Sequence, residues 1–362
     1  MGYEALPNYF RLSQKISRLT QRVAAAVSVD DFDADPRWAA RFGERGRRKC
    51  TADFCFHLEF LAGAMEARAP AAFGDYLLWC DRMLCARGID SHLLVTAVEL
   101  LEKHLVALLL PDEGRFVSQF IREGRSTATA TADTMSNGAL ALTRQVFLSA
   151  VLAGQRQAAL NIVDEALAQG HTHVELYVDL FAETLHRVGK LRESNQVSVA
   201  QEHMATAITQ YSLAHIYSRL QPPAVHRGRM VVAGVAGELH QIGANLLADT
   251  MEASGWDVHF LGTNLPHTAI LTAVEEMPAD VLCISTTLVA NLPAASELVR
   301  LVRKELGEPG PRIVLGGAAY RLAGDFAREL GSTEGVTHLR RAIELLSPEF
   351  GVGQTAETLT TA

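Results

Sequence analysis

The strongest constraint on the fold is an alternation of short apolar runs with helical patterns between residues 228 and 346. Residues 230–235 are continuously apolar, which is the pattern of a parallel strand buried on both faces. Further strands are predicted at 257–261, 281–285 and 312–315, and helices at 242–253, 267–276, 292–305, 320–330 and 340–346. Strands that alternate with helices predict a doubly wound α/β domain of the Rossmann-like or flavodoxin-like type. Ligands of such domains bind outside the carboxyl ends of the parallel strands.

The preceding half of the chain is predicted to be all-α, because its apolar residues recur at helical spacing with few β-branched runs. Gln221, Pro222 and Pro223 form a stiff link between the two halves, since consecutive prolines cannot continue a helix. We therefore expect a helical N-terminal sensor or oligomerisation domain at 1–125, a four-helix bundle at 126–220, an α/β domain at 228–346 and a flexible tail at 347–362.

Two details of the helical half are less regular. The charged stretch 30–47 predicts a loop or a short helix. Within the bundle, helices are predicted at 157–169, 174–188 and 197–220, after a first helix whose apolar face includes Leu140, Phe147 and Val151. Gly189 is expected to end the third of these helices, because glycine is common just beyond helix ends.

Charge and cysteine content exclude several classes of protein. The net charge is −8, from 33 Lys and Arg against 41 Asp and Glu, which argues against direct binding of nucleic acid or an anionic membrane. No apolar run reaches the ~18 residues that a membrane span needs. The five cysteines are an odd number, which predicts free thiols in a reducing, cytoplasmic setting. Four of them, Cys50, Cys55, Cys80 and Cys85, lie in apolar helical sequence, where core packing is favoured over zinc binding.

Polar residues and glycines follow three of the predicted strands at the edge where ligands bind. These residues are Glu238, His240, Gln241, Ile242 and Gly243 after the first strand, Ser285 and Thr287 after the third, and Gly316 and Gly317 after the fourth. A carboxylate two residues from an imidazole can fix its tautomer and make it a stronger metal ligand. Because one histidine alone cannot hold a free ion, the metal is expected inside a macrocycle. The alternative is a surface histidine in a Rossmann-like fold.

This spacing resembles the cobalamin-binding signature, which reads D-x-H-x-x-G, then S-x-L or S-x-T, then G-G. Glu238 stands where many members carry Asp, and the similarity extends over about residues 140–345. The resemblance implies that B12 binds with its dimethylbenzimidazole tail detached from cobalt and placed beside Gly243, Ser285 and Gly316. It also implies that His240 is the lower axial cobalt ligand and that the bundle caps the upper face of the corrin.

Residues 197–203 resemble a segment of the cobalamin-dependent photoreceptors, in which a Glu-His pair lies over the adenosyl group. The matching residues are Glu202 and His203, with Val199 one turn earlier. The resemblance implies adenosylcobalamin as cofactor and photolysis of its cobalt–carbon bond as the signal. Those photoreceptors have a tryptophan and a histidine where this chain has Arg192 and Glu193. The alternative for Glu202 and His203 is a solvated pair on a helix face.

The N-terminal region shows no helix-turn-helix pattern, so it does not resemble the DNA-binding domain of that family. Its joining to a cobalamin module resembles the photocobilins, which implies biliverdin as a second pigment near Trp79, Tyr76 and His57. The alternative is a helical core that forms a homodimer. Three functions are therefore open: a non-enzymatic light sensor with a downstream protein partner, a corrinoid carrier of methyl groups for a methyltransferase, and a light-independent sensor of cobalamin.

Overall fold

The structure is a computed structural model that describes residues 8–34, 36–127, 139–220, 223, 226–307 and 310–347, without the side chains of 33–39 and 41. The predicted link at Gln221 and Pro222 and the predicted tail from residue 348 lie outside the described residues. The described residues fall into two compact units. The first contains the N-terminal helices together with Thr286–Arg300 and Ala318–Gly335, and the second contains the helical bundle and the rest of the α/β region.

The N-terminal helices are α1 Tyr9–Ala34, α2 Pro36–Glu66, α3 Pro70–Cys85, α4 Ser91–Val106 and α5 Pro111–Thr127. Three of them begin at a proline, which is tolerated there because the first N–H groups of a helix have no helical partner. The expectation of a loop or short helix at 30–47 was wrong. This stretch is helical on both sides of residue 35, and Gly43, with φ of 54°, breaks α2. Charge alone does not oppose a helix, since Arg, Glu and Ala are good helix formers.

The bundle consists of α6 Ala141–Leu152, α7 Arg156–Ala168, a long third helix and α10 Val199–Tyr217. The third helix joins α8 His173–Glu175, a π-helical turn Leu176–Ala182 and α9 Glu183–Glu193. The prediction that Gly189 ends this helix was wrong. A Cβ atom on Gly189 would meet nothing within 4 Å, so the glycine only lowers helix propensity, and the turn comes later, where Asn195 has φ of 58°. Phe147, Tyr177 and Phe181 fill the core of the bundle.

The α/β region confirms the predicted fold class. Its elements are β1 Arg229–Val235, α11 Ile242–Ala253, β2 Asp257–Leu265, α12 His267–Glu276, β3 Val281–Ser285, α13 Leu292–Leu306, β4 Arg312–Gly316, α14 Gly324–Glu329, β5 Gly335–Val336 and α15 Leu339–Leu346. The sheet order is β2-β1-β3-β4-β5, and the pairs β1–β2, β1–β3 and β3–β4 are parallel. The predicted helix at 320–330 is instead a 3-10 turn, Ala318–Arg321, followed by the short α14. No helix in the described ranges has the length and apolar character needed to cross a membrane.

Candidate functional site

The register of the sheet brings three strand ends to one edge. Gly234 in β1 pairs with Ser285 in β3, and Ser285 pairs with Gly316 in β4. Because β2 lies on one side of β1 and β3, β4 and β5 lie on the other, the order in which the chain adds strands to the sheet reverses between β1 and β3. Such a switch point is where ligands bind in doubly wound sheets. Ser285 and Gly316 therefore lie beside the crevice into which the loop after β1 leads.

That loop holds the predicted metal ligand in a defined orientation. Glu238 is fully buried, and its Oε1 accepts hydrogen bonds from the backbone N–H of His240 (3.0 Å) and from His240 Nδ1 (2.6 Å). With the proton on Nδ1, the Nε2 atom keeps its lone pair for a metal. The hydrogen bond from Glu238 raises the pKa of His240, and burial opposes this rise. The imidazole side chain is 54% exposed, so it is accessible to a large ligand.

Sequence reasoning missed a residue that anchors this loop. The backbone N–H of Gly237 donates a hydrogen bond of 2.9 Å to Oδ1 of Asn264, at the end of β2. Asn264 adopts φ of 60°, and Gly237 has φ of 84°. Asparagine is among the few residues that accept such a backbone conformation readily. The signal for it was present in the sequence as an Asn two residues after Gly262 at the end of an otherwise regular strand.

The glycines of the site differ in what requires them. Gly317 has φ of 115° and donates its N–H to Val336 O at 2.9 Å, and a Cβ on Gly316 would lie 3.1 Å from that oxygen. These two glycines are therefore needed by the sheet itself. A Cβ on Gly243, in contrast, would meet nothing within 4 Å. Gly243 leaves open space beside the ligand edge, which fits the cobalamin tail that the sequence predicts there.

The remaining predicted residues near this edge differ in their exposure and in what they pack against. Gln241 is exposed and precedes α11, and Ile242 packs against the core of the bundle. Ser285 and Thr287 are both half-buried. Thr287 follows Ser285 by two positions but belongs to the first compact unit, whereas the other predicted residues belong to the second.

The predicted upper-face residues lie on the first turn of α10. Ser198 and Gln201 form a capping box that starts this helix. Val199 and His203 are exposed, and Glu202 is half-exposed. The negative charge of Glu202 adds to the rise in the pKa of His240, which places Glu202 within electrostatic reach of the imidazole.

Arg192 lies at the end of α9 and is tied to this turn. Its Nε is 3.6 Å from Oε2 of Glu202. Glu193 is largely buried, and its carboxylate is 3.7 Å from Nζ of Lys190. The structure therefore places Arg192 beside Glu202.

Hydrogen bonds join the bundle to α11, the helix that begins beside Gly243. Tyr177 donates its hydroxyl to Asp249 (3.4 Å), and Tyr217 donates its hydroxyl to Glu252 (3.0 Å). Leu246 of α11 is part of the bundle core. A displacement of the bundle would therefore move α11 and the wall of the crevice with it.

The Asp249 carboxyl makes the stability of this junction depend on pH. Burial raises the pKa of this carboxyl to about 6 from the ordinary 3.8. Its contribution to the stability of the folded state is therefore full below pH 3.8, and it is lost as the pH rises through 6 and the buried carboxyl ionises. We expect Asp249→Asn, which can still accept from Tyr177, to raise the free energy of unfolding by about 2 kcal/mol at pH 8 and to change it little at pH 4. Urea unfolding at pH 4, 6 and 8 measures this.

Asp257 provides a control of opposite sign for the Asp249 experiment. Its hydrogen bond from Arg229 lowers its pKa, so Asp257→Asn is expected to lower stability at pH 8. If Asp249→Asn changed the free energy of unfolding equally at all three pH values, ionisation of the buried carboxyl would not be the cause of the stability lost at high pH.

No group of three or more His, Cys, Asp or Glu side chains within the described ranges could hold a free metal ion. All five cysteines are free thiols, and Cys80 and Cys283 are buried. A site in which the predicted ligand His240 is the one protein ligand would suit a metal whose equatorial ligands come from a macrocycle.

Comparison with known proteins finds matches to the helical bundle and to the α/β region. A family model described as a B12 binding domain matches residues 228–339, and a second model of the same description matches residues 143–217. The HTH-type transcriptional repressor CarA of Myxococcus xanthus is 28% identical over 217 residues, which cover 60% of this chain and 70% of the repressor.

Corrinoid proteins are also similar. Dimethylamine corrinoid protein 3 of Methanosarcina acetivorans is 23% identical over 170 residues, which cover 47% of this chain and 79% of that protein. The structure of the monomethylamine corrinoid protein of Methanosarcina barkeri superimposes with a TM-score of 0.51 at 16% identity, over 57% of this chain and 98% of that one. This last likeness shows the shared fold.

Proposed function

The chain belongs to the family of cobalamin-binding proteins, and we propose that within this family it is a non-enzymatic light sensor that uses adenosylcobalamin. One observation carries the proposal: Nδ1 of His240 lies 2.6 Å from Oε1 of the buried Glu238, which leaves Nε2 for a cobalt ion. The bundle helix α10, whose first turn carries Glu202 paired with Arg192, would lie above a corrin held by His240. The similarity to the repressor CarA supports a regulatory role.

Each part of the site would have a distinct task. His240 would be the lower axial ligand, Glu238 would hold its tautomer, and Gly243 would leave room for the detached tail. Val199, Glu202 and His203 would lie towards the adenosyl group. When bound, adenosylcobalamin supplies a cobalt–carbon bond that light breaks. The first turn of α10 would then lose its packing partner, and the hydrogen bonds of Tyr177 and Tyr217 would pass the change to α11.

Arg192 and Glu193 give this sensor a different upper face from that of the photoreceptors it resembles. The pairing of Arg192 with Glu202 connects the end of α9 to the sensing turn. Position 193 offers no imidazole nitrogen, and we propose that water or His203 takes the upper position after photolysis.

The experiment compares cofactors and light states in the full chain. Free adenosylcobalamin is itself photolysed, so the readout must be the protein: its molar mass by light scattering and its proteolysis pattern, in the dark and after green light. A light-dependent change in either is expected with adenosylcobalamin. The double variant Glu202→Gln, His203→Ala should lower affinity for adenosylcobalamin about tenfold and leave affinity for hydroxocobalamin within a factor of two. Exposed Glu165 on α7 provides the control variant Glu165→Gln.

A corrinoid methyl carrier is the second candidate, supported by the similarity to dimethylamine corrinoid protein 3. A carrier would bind methylcobalamin as well as adenosylcobalamin and would not change mass or proteolysis pattern on illumination. Equal effects of the double variant on both cobalamins would also oppose the sensor. A light-independent sensor would respond to cobalamin addition alone.

The N-terminal helices are the proposed output region, acting through a second copy of the chain or a downstream protein and not through DNA. Their aromatic cluster is packed on itself: Tyr76 stacks on Phe60 with ring centroids 3.7 Å apart, and its hydroxyl is 2.8 Å from Nδ1 of His57. Trp79, whose ring centroid is 6.2 Å from that of Tyr76, is exposed, and so is Phe56. A homodimer through these rings is the simpler proposal. If biliverdin is a second pigment, protein purified after co-expression with a biliverdin source should show a red absorbance band.

A further inference from the structure

Helix α2 of the N-terminal region approaches the backbone that follows the strand β3 unusually closely. A Cβ atom on Gly63 would lie 1.9 Å from the carbonyl oxygen of Val289 and 2.7 Å from its carbonyl carbon. Val289 begins a 3-10 turn, Val289–Asn291, and comes two residues after Thr287. Backbone cannot yield as a flexible side chain does, so only glycine at position 63 permits this approach.

One turn further along α2, a buried carboxylate holds the helix that follows this turn. Glu66 is 3% exposed, and its Oε1 accepts hydrogen bonds from Ser296 Oγ (2.5 Å) and from the Arg300 guanidinium (3.2 Å). The Arg300 guanidinium also lies 3.8 Å from the ring centroid of Phe10 in α1. Hydrogen bonds to a charged, buried group are among the stronger ones. The first nine residues of α13 are therefore held against the N-terminal helices by side chains from both α1 and α2.

The segment after β4 belongs to the same unit and forms ion pairs with the N-terminal helical region. Arg321 is 2.9 Å from Asp75 in α3, and Glu329 is 3.2 Å from Arg68. The backbone N–H of Ala319 donates to Thr286 O at 3.3 Å, which joins the two segments. The two surface ion pairs contribute little by themselves. They show, however, that the chain leaving Ser285 and the chain leaving Gly317 both enter the unit built on the N-terminal helices.

We infer that Gly63 and Glu66 are positioning residues for the cobalamin tail, acting through residues 286–300 on Thr287. This inference rests on the proposed binding of cobalamin. By linkage, a change in tail binding caused by the N-terminal helices implies an equal effect of the bound tail on those helices. The N-terminal region would then sense the tail side of the cofactor independently of the adenosyl side.

The test compares hydroxocobalamin with cobinamide, which has the corrin but no nucleotide tail, on the full chain in the dark. Gly63→Ala is expected to weaken hydroxocobalamin binding about tenfold and to leave cobinamide binding within a factor of two. Gly189→Ala is the matched control, since a Cβ on that helical glycine would meet no atom within 4 Å and the change should affect neither ligand.

A second pair of variants covers the case in which Gly63→Ala does not fold. Glu66→Ala should weaken hydroxocobalamin about tenfold, whereas Glu66→Gln, which can still accept from Ser296 and Arg300, should restore binding to within a factor of about two. Hydrogen exchange in α2 should slow when hydroxocobalamin binds and not when cobinamide binds.

Three outcomes would overturn the inference: equal loss of both ligands in folded Glu66→Ala, wild-type binding in folded Gly63→Ala, or no ligand difference in α2 exchange. Failure of the wild-type chain to bind hydroxocobalamin would instead overturn the proposed function. The two failures are thus separated by the wild-type measurement.

Discussion

Cob(II)alamin bound to the His240→Ala variant is expected to show no nitrogen splitting from a protein ligand in its electron paramagnetic resonance spectrum. Nδ1 of His240 is held by the buried Glu238, so Nε2 is the atom left for cobalt. Removing the ring removes that ligand, and alanine offers no substitute. We also expect cobalamin affinity to fall by about 10- to 100-fold, the range seen when the shell around a metal ligand is disrupted.

His259→Ala is the matched control for this experiment. His259 lies in β2 of the same domain, is half-buried, and has a carboxylate partner, with Nε2 3.5 Å from Oδ1 of Asp257. Its replacement should leave both the spectrum and the affinity unchanged. Nitrogen splitting that persists in His240→Ala loaded with cob(II)inamide, which has no benzimidazole nitrogen of its own, would show that another residue binds cobalt.

The second large effect is expected from Gly243→Leu, in the first turn of α11. A Cβ at this position meets no atom within 4 Å, and leucine favours a helix over glycine by about 0.5–1 kcal/mol, so the variant should melt at or above the wild-type temperature. Cobalamin binding, in contrast, should weaken at least about 100-fold, because the side chain would fill the space expected for the tail. Thermal unfolding and equilibrium titration give the two quantities.

Cobinamide separates blocking of the tail from general damage to the site. We expect Gly243→Leu to bind cobinamide nearly as well as the wild type does. Gly189→Leu, which places the same side chain on another open helical glycine, should leave both ligands unaffected. Wild-type affinity for cobalamin in Gly243→Leu would show that the tail does not pass this position.

The elements of the α/β region could be predicted well because each is marked by apolar spacing within its own residues. The apolar run in β1 and the spacing of its neighbours gave α11, α12 and β3 with the bounds that the structure has. Parallel pairing then brings Ser285 next to Gly316, since strand ends in such a sheet meet at one edge. The hydrogen bond between Glu238 and His240 was also predictable, because the two residues are only two positions apart.

Features that depend on distant residues could not be predicted in this way. The need for glycine at position 63 arises from Val289, and the acceptance of Gly189 inside a helix arises from the open space beside it. Neither condition leaves a mark in the surrounding sequence. Glu66 likewise has its two partners in the other half of the chain, where Ser296 and Arg300 lie. The site residues of the cofactor remain predictions that the binding experiments above address.

The composition of the first unit has a consequence for the order in which the protein is made. Its N-terminal helices leave the ribosome early, but Thr286–Arg300 and Ala318–Gly335 follow only after the bundle and most of the sheet. At about 5–20 residues per second, this interval lasts on the order of tens of seconds. During it, Glu66 has neither Ser296 nor Arg300 as a partner, and the surface around Gly63 faces water or a chaperone. The N-terminal helices are thus synthesised before the bundle, but the unit that they belong to is completed only after most of the sheet.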